Sequence, residues 1–149
     1  MHDLTPMIEL GHETERKPPY RYAAFMRVGF SDTDAQGVVY YGRYMPYFDL
    51  ARTEYHRHLG HLDLRDEFAM RAMTIEYHAP ARFDDLLEVF VRVERIGNTS
   101  VTYDFSAFGV DDDLLMATAK QTMVFIHVAD RKPVPVPEAF RVQVRSFEQ

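Results

Sequence analysis

One stripe of large apolar residues at helical spacing, with segments of alternating polarity on both sides of it, restricts the folds open to this chain of 149 residues. The stripe comprises Tyr44, Phe48, Ala51, Tyr55 and Leu59. Their spacing predicts a long helix between about residues 41 and 59, and Gly60 supplies its stop. Because a proline is tolerated cheaply only in the first turn of a helix, Pro46 implies that regular helix begins near Met45.

Five segments of the chain are predicted to form strands. One precedes the helix at residues 22–30, and four follow it at residues 72–83, 86–96, 100–110 and 114–128. Apolar residues alternate with polar ones in these segments, and short turns rich in Asp, Gly and Asn separate the last four. The last three strands should therefore form an antiparallel meander. The order of elements predicts an α+β fold in which a five-stranded, curved antiparallel sheet covers the helix.

The length of the chain favours a single domain with its own core, since a chain of this size buries roughly 68–70% of its unfolded surface. Residues 1–19 show neither helical nor strand periodicity and end in Lys17-Pro18-Pro19. We therefore predict a mobile or loosely docked arm at residues 1–19 and one domain at residues 20–149.

Charge and composition argue against nucleic acid and membranes as partners and bear on the location of the protein. The 23 acidic and 17 basic residues give a net charge of −6, which disfavours nucleic acid or an anionic membrane as the main partner. No stretch approaches the ~20 apolar residues that span a bilayer, and no signal-like apolar run opens the chain. The absence of cysteine removes disulfides and thiolate chemistry. We therefore expect a cytoplasmic location.

The turn between the first strand and the helix holds the residues best suited to chemistry. It has the sequence FSDTDAQGVVYYGRY over residues 30–44, with Asp32 and Asp34 close together and Gly37 able to take a positive φ. A carboxylate can act as a nucleophile or general base, and the unpaired N–H groups at a helix start can stabilise an oxyanion. The same residues would also make a turn and a helix cap without chemistry. Both interpretations stay open from the residues alone.

Three separated motifs carry a resemblance to a known family. They are DTDAQGVVYYGRY followed by FDLARTEY, then IEYHAPARFDDLLEV at residues 75–89, and RKPVPVPE at residues 131–138. In this order they resemble the acyl-CoA thioesterases of the 4-hydroxybenzoyl-CoA thioesterase type, which include the thioesterase of the bacterial Tol–Pal cluster. The resemblance implies a hotdog fold, a curved antiparallel sheet wrapped around one long helix. It also implies hydrolysis of an acyl- or aroyl-CoA thioester without a cofactor, because coenzyme A is part of the substrate.

The resemblance also implies roles for residues of the turn. Asp34 matches the catalytic aspartate, which acts as nucleophile or general base. The backbone N–H of Tyr41 would polarise the thioester carbonyl, and Gly37 would let the backbone come close. Relatives of the Tol–Pal type carry histidine at the position of Tyr41, so the role assigned to Tyr41 is confined to its backbone.

Several residues are candidates for binding the acyl group. Tyr40 and Tyr44 belong to an aromatic-rich run that would line an acyl pocket, although such a stripe is also typical of plain core. Asp49 lies on the mostly apolar stripe of the helix, where an unpaired carboxylate would be costly. We therefore predict that Asp49 faces the acyl pocket.

Other residues are candidates for the coenzyme A phosphates, which Arg and Lys recognise best. Arg82 precedes the Asp84-Asp85 turn, and Arg95 lies beside the Gly97-Asn98 turn. No metal site is predicted, because His56 and His58 are two residues apart on the helix and face different sides.

Two other functions stay open. A hotdog-fold dehydratase acting on acyl-carrier thioesters would need a catalytic histidine beside a carboxylate, and no histidine lies in the 30–44 turn. A non-catalytic acyl-CoA-binding protein would keep the pocket and lose the aspartate, whereas Asp34 is present.

A single curved sheet would leave an open edge and an apolar face that a lone subunit has to hide. Relatives form dimers with a continuous sheet and active sites at the subunit boundary, often paired again into tetramers. The resemblance therefore implies a homodimer or homotetramer.

Overall fold

The computed structural model describes residues 9–62 and 67–149, in which six strands form one antiparallel sheet around a long helix. The strands are β1 (Gly11–Glu13), β2 (Tyr22–Arg27), β3 (Phe68–Tyr77), β4 (Leu86–Ile96), β5 (Ser100–Gly109) and β6 (Leu115–Phe125). The helices are α1 (Tyr44–Leu59) and α2 (Glu138–Glu148), and α1 follows a 3-10 turn at Tyr41–Arg43. The order across the sheet is β1-β2-β4-β5-β6-β3. The α+β class, the hotdog layout and the meander of the last three strands are confirmed.

Helix α1 has the predicted limits and the predicted buried face. Its apolar stripe from Tyr44 to Leu59 is buried, and the Phe48 ring lies 5.0 Å from the ring of Phe105 on β5. Gly60 ends the helix with a φ of 79°, and its N–H donates to carbonyls of the last turn. Pro46 lies in the first turn, where its missing N–H leaves no helical bond unmade.

The sheet has one strand more than the five predicted. Strand β1 pairs with β2 and is three residues long, too short to show an alternation in the sequence. It lies within the predicted arm, of which residues 1–8 fall outside the described residues. Residues 9–19 are thus partly docked on the sheet.

Strand β3 is shifted relative to the prediction and forms the other edge of the sheet. It begins at Phe68, where a bulge between Met70 and Ala72 interrupts the alternation, and it ends at Tyr77. Pro80 cannot donate a ladder hydrogen bond, so the chain leaves the sheet there and reaches the loop of Val39, whose N–H donates to the Ala81 carbonyl over 2.8 Å.

Helix α2 was missed by the sequence analysis, although Phe140, Val144 and Phe147 follow helical spacing after Pro137. It closes the end of the core beside α1. The Glu148 carboxylate accepts hydrogen bonds from the Tyr55 hydroxyl at 2.6 Å and the Val93 N–H at 3.0 Å. Burial raises the pKa of Glu148.

His56 of α1 is a buried histidine with both ring nitrogens engaged. Its Nε2 lies 2.6 Å from the Tyr103 hydroxyl and its Nδ1 lies 3.3 Å from the His61 carbonyl. A neutral ring that donates from Nδ1 and accepts at Nε2 satisfies both partners. Burial lowers the pKa of His56 to about 4. The histidine is therefore a core residue whose two ring nitrogens are both hydrogen-bonded.

Candidate active site

Asp34 opens a small hairpin between β2 and α1. The Asp34 N–H donates to the Val38 carbonyl over 2.9 Å, and the Gly37 N–H donates back to the Asp34 carbonyl over 3.0 Å. Gly37 has a φ of 77°, a conformation that favours glycine, so its predicted positive φ is confirmed. Thr33 and Val39 pair across the base of the hairpin. The hairpin holds Asp34 at a fixed position near its tip.

The Asp34 carboxylate has one structural oxygen and one open oxygen. Its Oδ1 accepts the N–H groups of Gln36 at 2.8 Å and Val38 at 3.4 Å. Its Oδ2 has no hydrogen-bond partner among residues 9–62 and 67–149, and the side chain is exposed. The carboxylate can thus cap the turn with one oxygen and reach a substrate with the other.

Asp32 differs from Asp34 in that its carboxylate bonds a side chain of helix α1. Its Oδ2 accepts the Gly29 N–H at 3.0 Å and the Tyr47 hydroxyl at 2.8 Å. Its carbonyl accepts the Tyr40 N–H at 2.9 Å. Asp32 therefore fastens the loop to helix α1. Its bond to Tyr47, fifteen residues along the chain, could not be recognised from the sequence.

Tyr41 begins the 3-10 turn that leads into α1. Within the part of the chain that the structure describes, its N–H has no acceptor, as expected at a helix start. Its carbonyl accepts the Tyr44 N–H and also the Tyr77 hydroxyl, the latter at 3.1 Å. Asp34 and Tyr41 lie on the two limbs of the same loop.

A pocket of about 270 Å³ lies beside this turn. It is lined by Val38, Val39, Tyr41, Tyr44, Tyr77, His78, Ala79 and Pro80. Tyr44 is buried, and burial raises the pKa of its hydroxyl. The Tyr77 ring stands 5.0 Å from the Tyr41 ring and 5.6 Å from the Tyr44 ring. The predicted Tyr44 thus lines the pocket, whereas Tyr40 is 59% exposed and does not.

A larger cavity of about 750 Å³ lies elsewhere, between the end of β1, α1 and α2. It contains none of the residues predicted for catalysis or binding, and Arg21 and His58 are among its polar lining groups. The chemistry of the Asp34 hairpin, and not cavity size, therefore identifies the candidate site.

Asp49 is paired, which removes the cost expected from its place on the apolar stripe. Its Oδ1 accepts Nη1 of Arg52 at 2.9 Å and Nε2 of Gln121 at 3.0 Å. Gln121 is fully buried on β6. These two partners turn Asp49 toward β6, and it does not line the pocket beside Tyr41. The sequence did contain one indication of this network, because Gln121 stands at an inward-facing position on an otherwise apolar face of its strand.

The two arginines predicted to contact phosphate lie far apart. Arg82 pairs with Val38 of the Asp34 hairpin in an isolated bridge. Arg95 lies near the far end of β4, about 30 Å from Leu86 at a rise of about 3.3 Å per residue. The fold of one chain therefore brings Arg82 to the hairpin and leaves Arg95 at the opposite end of the sheet.

No group of three or more His, Asp or Glu side chains suited to holding a metal ion occurs within residues 9–62 and 67–149. In the same residues, no helix has the length and apolar character needed to cross a membrane.

The chain is similar to known thioesterases over most of its length. Residues 36–116 match the Thioesterase superfamily. The acyl-CoA thioester hydrolase YbgC of Escherichia coli is 35% identical over 129 residues, which cover 83% of this chain and 93% of that protein. The acyl-CoA thioesterase YbgC of Haemophilus influenzae is 32% identical over 119 residues, 76% of this chain and 86% of that protein.

Solved structures are similar to the whole fold. A thioesterase of Thermus thermophilus, complexed with coenzyme A and Zn, has a TM-score of 0.73 and 26% identity over 87% of this chain and 95% of that chain. A probable thioesterase of Bartonella henselae has a TM-score of 0.70 and 29% identity over 77% of this chain and 98% of that chain. With the sequence match covering more than half of its residues, the chain belongs to the thioesterase superfamily.

Proposed function

We propose that this thioester hydrolase cleaves acyl-CoA to a free acid and coenzyme A, with Asp34 as nucleophile or general base. The observation that carries the proposal is the presence of two available groups in one loop. One is the open carboxylate oxygen of Asp34, and the other is the N–H of Tyr41, which has no acceptor among the described residues. The names of the YbgC relatives and the coenzyme A in the Thermus thermophilus structure support the choice of carrier. The family match begins at residue 36, so the case for Asp34 rests on the DTD motif and this geometry.

The proposed reaction needs one group that acts at the thioester carbonyl carbon and a second group that binds the carbonyl oxygen. Asp34 either attacks the carbonyl carbon, forming an anhydride that water later cleaves, or takes a proton from the attacking water. The carbonyl oxygen gains negative charge in either case, and the Tyr41 N–H stabilises it. The tetrahedral intermediate then collapses with cleavage of the C–S bond, which in the nucleophilic route gives the anhydride. Coenzyme A leaves as the thiolate, which takes its proton from Asp34 in the general-base route and from water in the nucleophilic route. The pocket lined by Tyr44 would receive the acyl group.

Release of free thiol from a panel of short, medium, long and aromatic acyl-CoAs tests the function. We expect hydrolysis of at least one member, with turnover that requires Asp34. Binding without thiol release would favour the acyl-CoA-binding alternative. Formation of an enoyl product from β-hydroxyacyl thioesters, without thiol release, would favour the dehydratase alternative.

Substitution of Arg82 should weaken substrate binding with little effect on the chemical step. Arg82→Ala should raise KM for acyl-CoA about 3–10-fold and leave kcat within about 2-fold, because the variant removes an exposed positive charge that would bind phosphate, whereas the bridge to Val38 is made by the backbone and survives. High salt should raise KM of the wild type in the same way. Arg145, an exposed residue of α2, provides the matched control, and Arg145→Ala should leave KM unchanged.

Arg95→Ala distinguishes the two predicted phosphate sites. An increase of KM in Arg95→Ala alone would place the nucleotide at the far end of β4, where only a second subunit could combine it with Asp34. An unchanged KM in both Arg82→Ala and Arg95→Ala would contradict both assignments.

The protein should form a homo-oligomer of even order. Among residues 9–62 and 67–149 no strand pairs with the outer edge of β3, and Met70 and Tyr77 on this strand are 41% and 45% exposed. Pairing of two β3 edges would satisfy both strands and extend the sheet. Light scattering at micromolar concentration should give an even multiple of the 17.4 kDa subunit mass.

A pair of charged substitutions tests which edge is used. Met70→Asp on β3 should shift the protein toward monomer, whereas Val142→Asp on the exposed side of α2 should not. A stable wild-type monomer would contradict the oligomer, and equal behaviour of the two variants would contradict the β3 interface.

A further inference from the structure

Tyr77 contacts the candidate active site in two ways. It is the last residue of β3, and its hydroxyl donates to the Tyr41 carbonyl over 3.1 Å. Its ring also stands 5.0 Å from the Tyr41 ring and makes an edge contact with the Tyr44 ring at 5.6 Å. The sequence analysis did not select Tyr77, because an aromatic residue in an alternating segment is typical of core packing.

The bond from Tyr77 ties the 3-10 turn to the sheet. The Tyr41 carbonyl already accepts the Tyr44 N–H, which is internal to the helical segment. On the other side, the Tyr40 N–H is bound to the Asp32 carbonyl of the hairpin. Tyr77 is itself fixed by its pairing with Ala117 on β6. The hydroxyl therefore connects the 3-10 turn to strand β3, which is held in place by the sheet and not by helix α1 or the Asp34 hairpin.

The position of this turn matters because it holds the proposed carbonyl-polarising N–H. Such a donor works when it lies within about 2.7–3.1 Å of the developing oxyanion, and an error of about 1 Å in positioning can cost about 10²-fold in rate. The Tyr41 side chain is exposed, so its own packing gives the turn little support. A hydrogen bond to the carbonyl of the same residue restricts the rotation of the turn directly.

We propose that Tyr77 is a positioning residue for thioester hydrolysis, whose hydroxyl holds the Tyr41–Arg43 turn so that the Tyr41 N–H meets the carbonyl oxygen. This inference rests on the proposed function of Asp34 and Tyr41. The Tyr77 ring lines the pocket proposed for the acyl group, whereas its hydroxyl acts on the reaction only through Tyr41. Its effect should therefore fall on kcat, since the turn matters most as charge develops on the carbonyl oxygen.

The variant Tyr77→Phe tests the hydroxyl while keeping the ring. We expect kcat to fall about 10-fold, with KM for acyl-CoA within about 2-fold of the wild type. Amide hydrogen exchange at Arg43 and Tyr44, whose N–H groups are bonded within the turn, should become faster in the variant, whether or not substrate is present. A role in packing alone would leave both the kcat and the exchange of the turn unchanged, because the ring is retained.

Tyr20 offers a matched control for the loss of a hydroxyl. Its hydroxyl is hydrogen-bonded to Ser106 over 2.9 Å, within a separate apolar cluster that includes Ala23 and Phe90. Tyr20→Phe should leave kcat, KM and the exchange of the Arg43 and Tyr44 amides unchanged. A decrease of kcat in Tyr20→Phe equal to that in Tyr77→Phe would overturn the proposal, because the effect would then be general.

The remaining outcomes separate this inference from the proposed function. Wild-type kcat in Tyr77→Phe, on a substrate that the wild-type protein hydrolyses, overturns the inference alone. A rise in KM without a fall in kcat also overturns it, since Tyr77 would then bind substrate. A wild-type protein that releases no thiol from any acyl-CoA overturns the proposed function and this inference with it.

Discussion

Replacement of Asp34 by asparagine should lower kcat for acyl-CoA hydrolysis by about 10³-fold while the fold remains intact. Asparagine keeps a side-chain oxygen that can accept the N–H groups of Gln36 and Val38, so the hairpin survives. It removes only the negative charge, on which both a nucleophile and a general base depend. Thiol release measures the effect, and circular dichroism with light scattering checks fold and assembly. Asp111→Asn, in an exposed turn outside the site, provides the matched control.

A comparison of Asp34→Asn with Asp34→Ala separates a catalytic role of Asp34 from a purely structural one. If Asp34 only capped its turn, asparagine would preserve both the cap and the activity, and alanine alone would loosen the hairpin. If Asp34 is catalytic, both variants lose activity, and only alanine also speeds amide exchange of residues 36–38. Near wild-type turnover of Asp34→Asn on every acyl-CoA that the wild type hydrolyses would contradict the catalytic assignment.

Much of the fold could be predicted because its signals are local. The buried stripe of α1, its stop at Gly60 and the alternation of β4, β5 and β6 depend on residues that are close in the chain. The strands that sequence analysis missed or misplaced have no clear alternation of polar and apolar residues. Strand β1 is three residues long and β3 contains a bulge. Their positions are fixed by pairing with β2 and β6, which is a tertiary effect.

The site shows the same division between local and distant contacts. Asp34 and Gly37 share one turn, so their relation could be predicted from their spacing. The partners of other groups come from distant parts of the chain. Asp49 is 72 residues from Gln121, and Tyr41 is 36 residues from Tyr77. No periodicity reports such pairs, which explains why Asp49 was predicted to face the pocket and why Tyr77 was not noticed.

Lowering the pH below about 6.5 should destabilise the protein through His56, by about 3 kcal/mol in the free energy of unfolding at pH 4 and below. The pKa of His56 is lowered to about 4 in the fold, from 6.5 as its ordinary value. Between these two values the unfolded chain binds a proton at this ring and the folded chain does not. The free energy of unfolding therefore falls as pH falls through this window, and the contribution of His56 is complete above pH 6.5. Urea denaturation between pH 8 and pH 4 measures it.

The variant His56→Gln isolates this contribution from that of other groups. Glu148 acts in the opposite sense, because burial raises its pKa and its folded form is stabilised by the proton. Glutamine at position 56 can still accept the Tyr103 hydroxyl but does not titrate, so the variant should lose the part of the pH slope that belongs to His56. Equal slopes in the wild type and His56→Gln would show that position 56 does not hold a neutral histidine in the folded core.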